Sequence, residues 1–155
     1  MSESTRAVLD TNVVLAAQHS QHAGSPNAEI VDRWEAGEFV LLCTPDIILE
    51  YAEKLTAIGA SPDASASFLA AVALACEWVR IDFFHVEHYP PDGDDVAFLL
   101  CALNGEATHL VTYDGHLLAL QPHYLLTTCA GSSSKPRRFP TKPGERRRAT
   151  AGSPA

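Results

Sequence analysis

Several features that would assign a 155-residue chain to an obvious class are missing. No apolar run approaches the roughly 20 residues that span a bilayer, so no membrane-spanning helix is expected. The opening Met1–Thr5 is polar and leads straight into an apolar segment, without the charged, apolar and cleavable parts of a signal peptide. Cys43, Cys76, Cys101 and Cys129 are widely separated and form no Cys-x-x-Cys pair. That spacing argues against a disulfide framework and for reduced core thiols, and a cytoplasmic location is the expectation. There is no glycine-rich phosphate loop, no Gly-x-Ser-x-Gly elbow, no Cys–His constellation and no internal repeat. Basic residues are scarce as well. Residues 1–134 hold four (Arg6, Arg33, Lys54, Arg80) against 18 acidic ones, whereas residues 135–155 hold seven against one. A body this acidic repels a phosphate backbone unless cations intervene, so the composition points either away from nucleic acid or toward bound divalent metal.

What is present suffices for one domain, since 46% hydrophobic residues can build a real core. Arg6–Asp10 is a short apolar run ending in a carboxylate, the signature of a buried parallel strand. A short helix is expected over Val13–Gln18, with Asp10-Thr-Asn12 supplying capping side chains. Ser25-Pro26, Thr44-Pro45 and Ser61-Pro62 each join a capping residue to a proline at the first helical position. They predict helices over Asn27–Ala36, from Pro45 through Leu55 toward Gly59, and from Pro62 to about Cys76. Strands are predicted at Phe39–Cys43, Val79–Phe83, His109–Tyr113 and Tyr124–Thr128. A helix through Leu103, capped by Asp94 or Asp95, and a helical turn at His116–Leu120 complete the pattern. Such alternation predicts an α/β fold with a mostly parallel sheet, in which all strand C-termini share one edge. From Ala130 onward prolines, serines and basic residues with a single aromatic, Phe139, cannot support a core. Residues 131–155 are therefore expected to form a basic disordered tail behind a domain at 1–130.

Asp10 ends the first strand, Asp114 follows the fourth, and Asp94 or Asp95 opens the helix before it. Glu50 lies about a turn and a half into the helix after the second strand. Each acid alone has a plain reading: Asp10, Asp95 and Asp114 as helix caps, and Glu50 as a solvated partner of Lys54 four residues on. Brought together, they would repel one another and partly protonate unless a cation neutralised them. All-oxygen ligands suit Mg²⁺ or Mn²⁺, ions that activate water for in-line attack on a phosphodiester.

The contexts of these acids resemble the PIN-domain family. VLDTNVVLAA (Val8–Ala17) is similar to its first motif, which implies a metal ligand at Asp10 with Asn12 assisting. The stretch Gly24–Leu55 resembles its second section and places the family acid on Glu50 within ILEY. PDGDDVAFLLCALNGEATHLVTYDGHLL (Pro91–Leu118) resembles the third and fourth, mapping acid-x-x-acid onto Asp92 and Asp95 and Thr-x-Asp onto Thr112 and Asp114. The similarity covers about residues 6–120, with four motifs in order, and leans toward the toxin-like branch related to VapC-type toxins. It implies a three-layer α/β domain whose central, mostly parallel sheet of four or five strands is flanked by helices. It also implies an Mg²⁺- or Mn²⁺-dependent endoribonuclease leaving a 5′-phosphate and a 3′-hydroxyl. Asp10, Glu50, Asp95 and Asp114 would be catalytic and metal-holding, and Asn12, Asp92 and Thr112 supporting. The implied partners are RNA, an antitoxin protein and a second copy of the chain. Tyr113 departs from the branch, which usually has a small residue there, and the basic tail replaces the usual closing segment.

Other features have simpler readings. His85 and His88 are loop residues without further zinc ligands nearby, and His116 is a surface residue beside the acids. Trp34, Trp78, Phe39, Phe68 and Phe98 sit in amphipathic segments and read as core. Arg137-Arg138 and Arg146–Arg148 can hold RNA electrostatically or simply keep a terminus soluble. A rival function is a non-catalytic binding module acting through its acidic face or basic tail. A response-regulator-like phosphatase also clusters acids at strand ends, but no suitably placed lysine follows Asp114.

Overall fold

In the computed structural model, which describes residues 4–19, 25–120 and 127–130, five strands form one sheet with the order β3-β2-β1-β4-β5 and every neighbouring pair parallel. The strands are β1 (Arg6–Leu9), β2 (Val40–Cys43), β3 (Glu77–Trp78), β4 (His109–Thr112) and β5 (Thr127–Ala130). Between them run α1 (Thr11–His19), α2 (Pro26–Glu35), α3 (Pro45–Ala57), α4 (Pro62–Ala75), α5 (Val96–Asn104) and α6 (Gly115–Leu118). The sheet is wholly parallel and the helices flank it, as the alternation of elements requires. The basic residues 135–155 lie outside the described residues.

The central strands are apolar because both their faces are covered: Ala7, Val8, Leu9, Leu41, Leu42, Leu110 and Val111 are all buried. The proline-started helices begin where the sequence places them, at Pro26, Pro45 and Pro62. Thr44 caps α3 by accepting from Ile47 N at 3.3 Å, and Ser61 caps α4 by accepting from Ala64 N at 3.5 Å. Ser25 makes no such bond, so α2 starts on Pro26 alone. α5 ends at Gly105, where a Cβ would stand 2.7 Å from Val79 Cγ2 and 2.9 Å from Leu42 Cδ1. Only glycine lets the chain turn that close to β2.

Four expectations need correction. The third strand is Glu77–Trp78 rather than Val79–Phe83. Val79 N still donates to Cys43 O at 2.8 Å, but β2 ends there and offers no further ladder. Beyond it the Asn104 side chain takes over, with Oδ1 accepting from Asp82 N (2.9 Å) and Phe83 N (3.1 Å) and Nδ2 donating to Phe83 O (3.0 Å). Trp34, Phe39, Phe68 and Phe98 are core, but Trp78 is 49% exposed because it lies on the sheet's short edge strand. Cys43, Cys76 and Cys101 are free thiols, Cys76 only half-buried; the Cys129 side chain lies outside the described residues. The last strand runs Thr127–Ala130, somewhat later than the expected Tyr124–Thr128.

Candidate active site

The chain moves outward from β1 through β2 to β3, then returns to lay β4 and β5 on the opposite side. The reversal falls between β1 and β4, and the crevice beyond the strand C-termini at such a point is where open α/β sheets bind ligands. Asp10 follows β1 directly and Asp114 lies two residues past the end of β4. Asp10 N donates to Val111 O at 2.8 Å, carrying the β1–β4 pairing one residue beyond the strand. The ladder itself thus holds Asp10 at the crevice.

Asp10 is only 4% exposed, and both its oxygens are held. Oδ1 accepts from Thr11 N and Oδ2 from the Thr112 hydroxyl, each at 2.7 Å. The same Thr112 oxygen accepts from Asp114 N at 2.9 Å, so one buried hydroxyl ties the acid of β1 to that of β4. Burial raises the Asp10 pKa, these two hydrogen bonds oppose the rise, and the Asp114 charge adds to it.

The start of α5 brings in the next acid. Asp92 Oδ1 accepts from Asp94 N at 3.0 Å, shaping the 3₁₀ turn Gly93–Asp95 that leads into the helix. Within this turn Asp94 is exposed and Asp95 is buried, 7% exposed. Asp95 makes no side-chain capping bond, and its Oδ2 is buried without a hydrogen-bond partner among the described residues. Its carboxyl is pushed up to about 7, first by burial and then by Asp114, which it contacts, with Asp10 and Asp92 adding repulsion. Asp114 also caps α6, accepting from His116 N at 2.7 Å, and the exposed His116 ring stands 3.6 Å from the same oxygen.

Glu50 faces this group from α3. Burial raises its pKa and the Thr11 hydroxyl lowers it; the Asp10 and Asp94 charges raise it and Lys54 lowers it. Thr11 Oγ1 is near enough to act on Glu50 but closes no hydrogen bond to it. The Tyr51 hydroxyl next along the helix donates to Leu9 O, and its ring lies 6.5 Å from that of Phe98 on α5. One buried side chain therefore links α3 to the strand before Asp10 and to the helix after Asp95.

A family model of the PIN domain matches residues 6–116, nearly three quarters of the chain. The chain belongs to the PIN-domain family. One solved structure with the same fold is VapBC2 from Rickettsia felis bound to a DNA fragment from their promoter. The two superpose with a TM-score of 0.53 at 14% identity, covering 81% of this chain and 98% of that one. At that identity the likeness is one of fold. No curated protein matches the sequence.

In this PIN domain Asp10, Asp95, Asp114 and Thr112 meet at the crevice between β1 and β4, with Glu50 beside Asp10. Asp92 shapes the turn, and Asn12 is exposed on α1 with no side-chain hydrogen bond among the described residues. Tyr113 donates its hydroxyl to the buried Asn27 on α2. Among the described residues, no three acidic, histidine or cysteine side chains converge into a ready-made metal cage. The donors nonetheless fit a hard cation. Mg²⁺ is commonly held by one or two carboxylates and keeps several waters, and the Asp95–Asp114 pair offers a buried oxygen with no other partner among the described residues. Sequence reading missed Thr11 and Tyr51. Thr11 had a signal in its place between Asp10 and Asn12, whereas only the packing of α3 reveals Tyr51.

Proposed function

We propose that this PIN domain is a divalent-cation-dependent endoribonuclease that hydrolyses RNA phosphodiester bonds. The observation that carries the reading is the Asp95–Asp114 contact beside Asp10: a carboxyl pushed up to about 7 and a buried oxygen without a partner among the described residues, at the sheet's reversal point. Mg²⁺ or Mn²⁺ would supply charge neutralisation and activation of water there, and would let an acidic body approach RNA. Asp95 and Asp114 are the foremost holders of the ion, with Asp10 oriented toward it by Thr112 and Thr11. Glu50 orients the attacking water, Asp92 fixes the turn that aims Asp95, and Asn12 assists from α1.

The reading extends to the toxin of a toxin–antitoxin pair, working in the cytoplasm, with an antitoxin as partner and a second copy of the chain as a further one. The VapBC2 likeness in fold supports this context. So does an open cleft of about 470 Å³ between α3 and the start of α5, whose lining sets the acids Asp46, Glu50, Glu53 and Asp94 against one base, Lys54, around Leu49. That lining suits a basic protein segment with an apolar side chain. No helix among the described residues is long and apolar enough to cross a membrane.

Cleavage of generic single-stranded RNA with Mg²⁺ or Mn²⁺, with and without chelator, tests the activity beside an Asp10→Asn variant. Weak cleavage that needs the ion and is lost in the variant is expected. Cleavage that survives both chelator and substitution rules the reading out.

A further inference from the structure

β3 is the outermost strand on its side of the sheet, and its far edge has no partner among the described residues. Successive residues of a strand turn their backbone N–H and C=O to opposite sides. Val79 N donates to Cys43 O at 2.8 Å, so Glu77 and Val79 face β2 while Trp78 and Arg80 turn theirs to the open side. The chain stays extended through this stretch: Trp78, Arg80 and Asp82 are exposed, Val79 is buried and Ile81 half-buried, an alternation of period two. Open edge groups of this kind are a template for another strand.

The open stretch is bounded at both ends. Cys76 N is taken by Val72 O at 2.8 Å in the last turn of α4, and Asp82 N by Asn104 Oδ1 at 2.9 Å. Trp78 and Arg80 are thus the two residues left to meet a neighbour. The surface on either side of them is apolar. Of the seven large apolar side chains exposed among the described residues, five lie between positions 74 and 89: Leu74, Trp78, Phe83, Phe84 and Tyr89. Exposed apolar surface gathered in one region marks an interaction site more often than singly scattered residues do.

We propose that this edge pairs with the same edge of a second copy, antiparallel, about a twofold axis at Val79. The inference stands apart from the nuclease reading. A copy of the chain is the occupant that fits, because the edge complements itself in one register. Trp78 set opposite the partner's Arg80, and Arg80 opposite the partner's Trp78, form two pairs that each exchange both backbone hydrogen bonds. A slip of one residue sets open groups against groups already turned to β2. A slip of two, either way, brings in Cys76 or Asp82, whose N–H groups are spent, and one of these slips opposes Arg80 to itself. In the favoured register each guanidinium lies directly across from an indole ring on the same face, the arrangement of a cation over an aromatic. Arg80 gives up only its exposed ion pair with Asp82 at 2.9 Å, which is worth little. The same twofold brings Leu74, before the strand, toward the end where the partner's Phe83 and Phe84 follow it.

Sedimentation velocity of the full-length chain across micromolar concentrations, with thermal midpoints beside it, tests the pairing. A concentration-dependent dimer is expected. Arg80→Pro removes the outward N–H and fills its place, a change that edge strands tolerate, and should weaken the dimer by about tenfold or more while the chain stays folded. Trp78→Arg sets arginine against arginine and should weaken it by about as much. Adding Arg80→Trp to Trp78→Arg restores the opposed pair with its members exchanged, and should bring the dissociation constant back to within a few-fold of the wild type. A wild-type chain that stays monomeric overturns the proposal, whatever else covers the edge. A dimer that neither Arg80→Pro nor Trp78→Arg weakens uses another face, and overturns it too. If Arg80→Pro fails to fold, the exchange decides alone: a dimer that Trp78→Arg breaks and the second substitution does not restore refutes the register.

Discussion

Replacing Asp95 by asparagine perturbs the most strained group of the site while conserving its shape. In the folded chain the Asp95 carboxyl rises from 3.8 to about 7, through burial first and Asp114 second. Between about pH 4 and pH 7 the folded form therefore holds a proton that the unfolded chain has released. Stability must fall as pH rises through that window, since the unfolded state binds fewer protons there. One unit is worth about 1.4 kcal/mol, so the rise sets a ceiling of roughly 4 kcal/mol. Screening through the partly open Asp114 side brings this to about 2 kcal/mol. Asp10 and Glu50 are also raised and add to the wild-type slope in the same direction, which is why the difference between variant and wild type is the quantity to read. Asparagine carries no charge, and its amide can donate to Asp114. In chelator, Asp95→Asn should thus unfold at or above the wild-type midpoint at pH 8, by about 6 °C for a chain of this size. The two midpoints should converge at pH 4. Excess Mg²⁺ or Mn²⁺ should then stabilise the wild type, by about 2.7 kcal/mol at a hundred times its Kd, and the variant much less. Thermal denaturation followed by circular dichroism at pH 4, 6 and 8, with chelator or cation, measures every term. If Asp95→Asn shows the same pH slope as the wild type, or loses stability at pH 8, repulsion at Asp95 is not the source of the effect.

Two further outcomes follow from the same geometry. Asp95→Asn should abolish ion-dependent RNA cleavage and Asp94→Asn should only weaken it, because Asp95 is buried against Asp114 while Asp94 is exposed; the reverse ranking in a cleavage assay would move the site by one residue. Tyr51→Phe keeps the ring against Phe98 but removes the donor to Leu9 O. It should cost roughly 1–2 kcal/mol in urea unfolding, and no measurable loss would mean that the carbonyl finds another partner.

The sequence by itself determined whatever depends on neighbouring residues. A capping side chain followed by proline fixes where a helix begins, because proline's φ suits the first turn and needs no N–H; hence α2, α3 and α4 start at Pro26, Pro45 and Pro62. Apolar runs ending in acids located the central strands and put Asp10 and Asp114 at their ends. The family pattern favours Asp95 over Asp94, and the fold buries the first while leaving the second exposed. Tertiary structure decided what depends on distant partners. Val79–Phe83 reads as a strand, yet its backbone is taken up by Asn104, some twenty residues later, once β2 has ended. Trp78 looks like core, but it occupies the outer strand, which no neighbour covers. The bridge from Asp10 through Thr112 to Asp114 spans about a hundred residues and exists only because the chain reverses direction between β1 and β4. The oxygens of Thr11 and Asp95 that lack a partner among the described residues are equally invisible in a sequence, since lacking a partner is a property of everything packed around an atom.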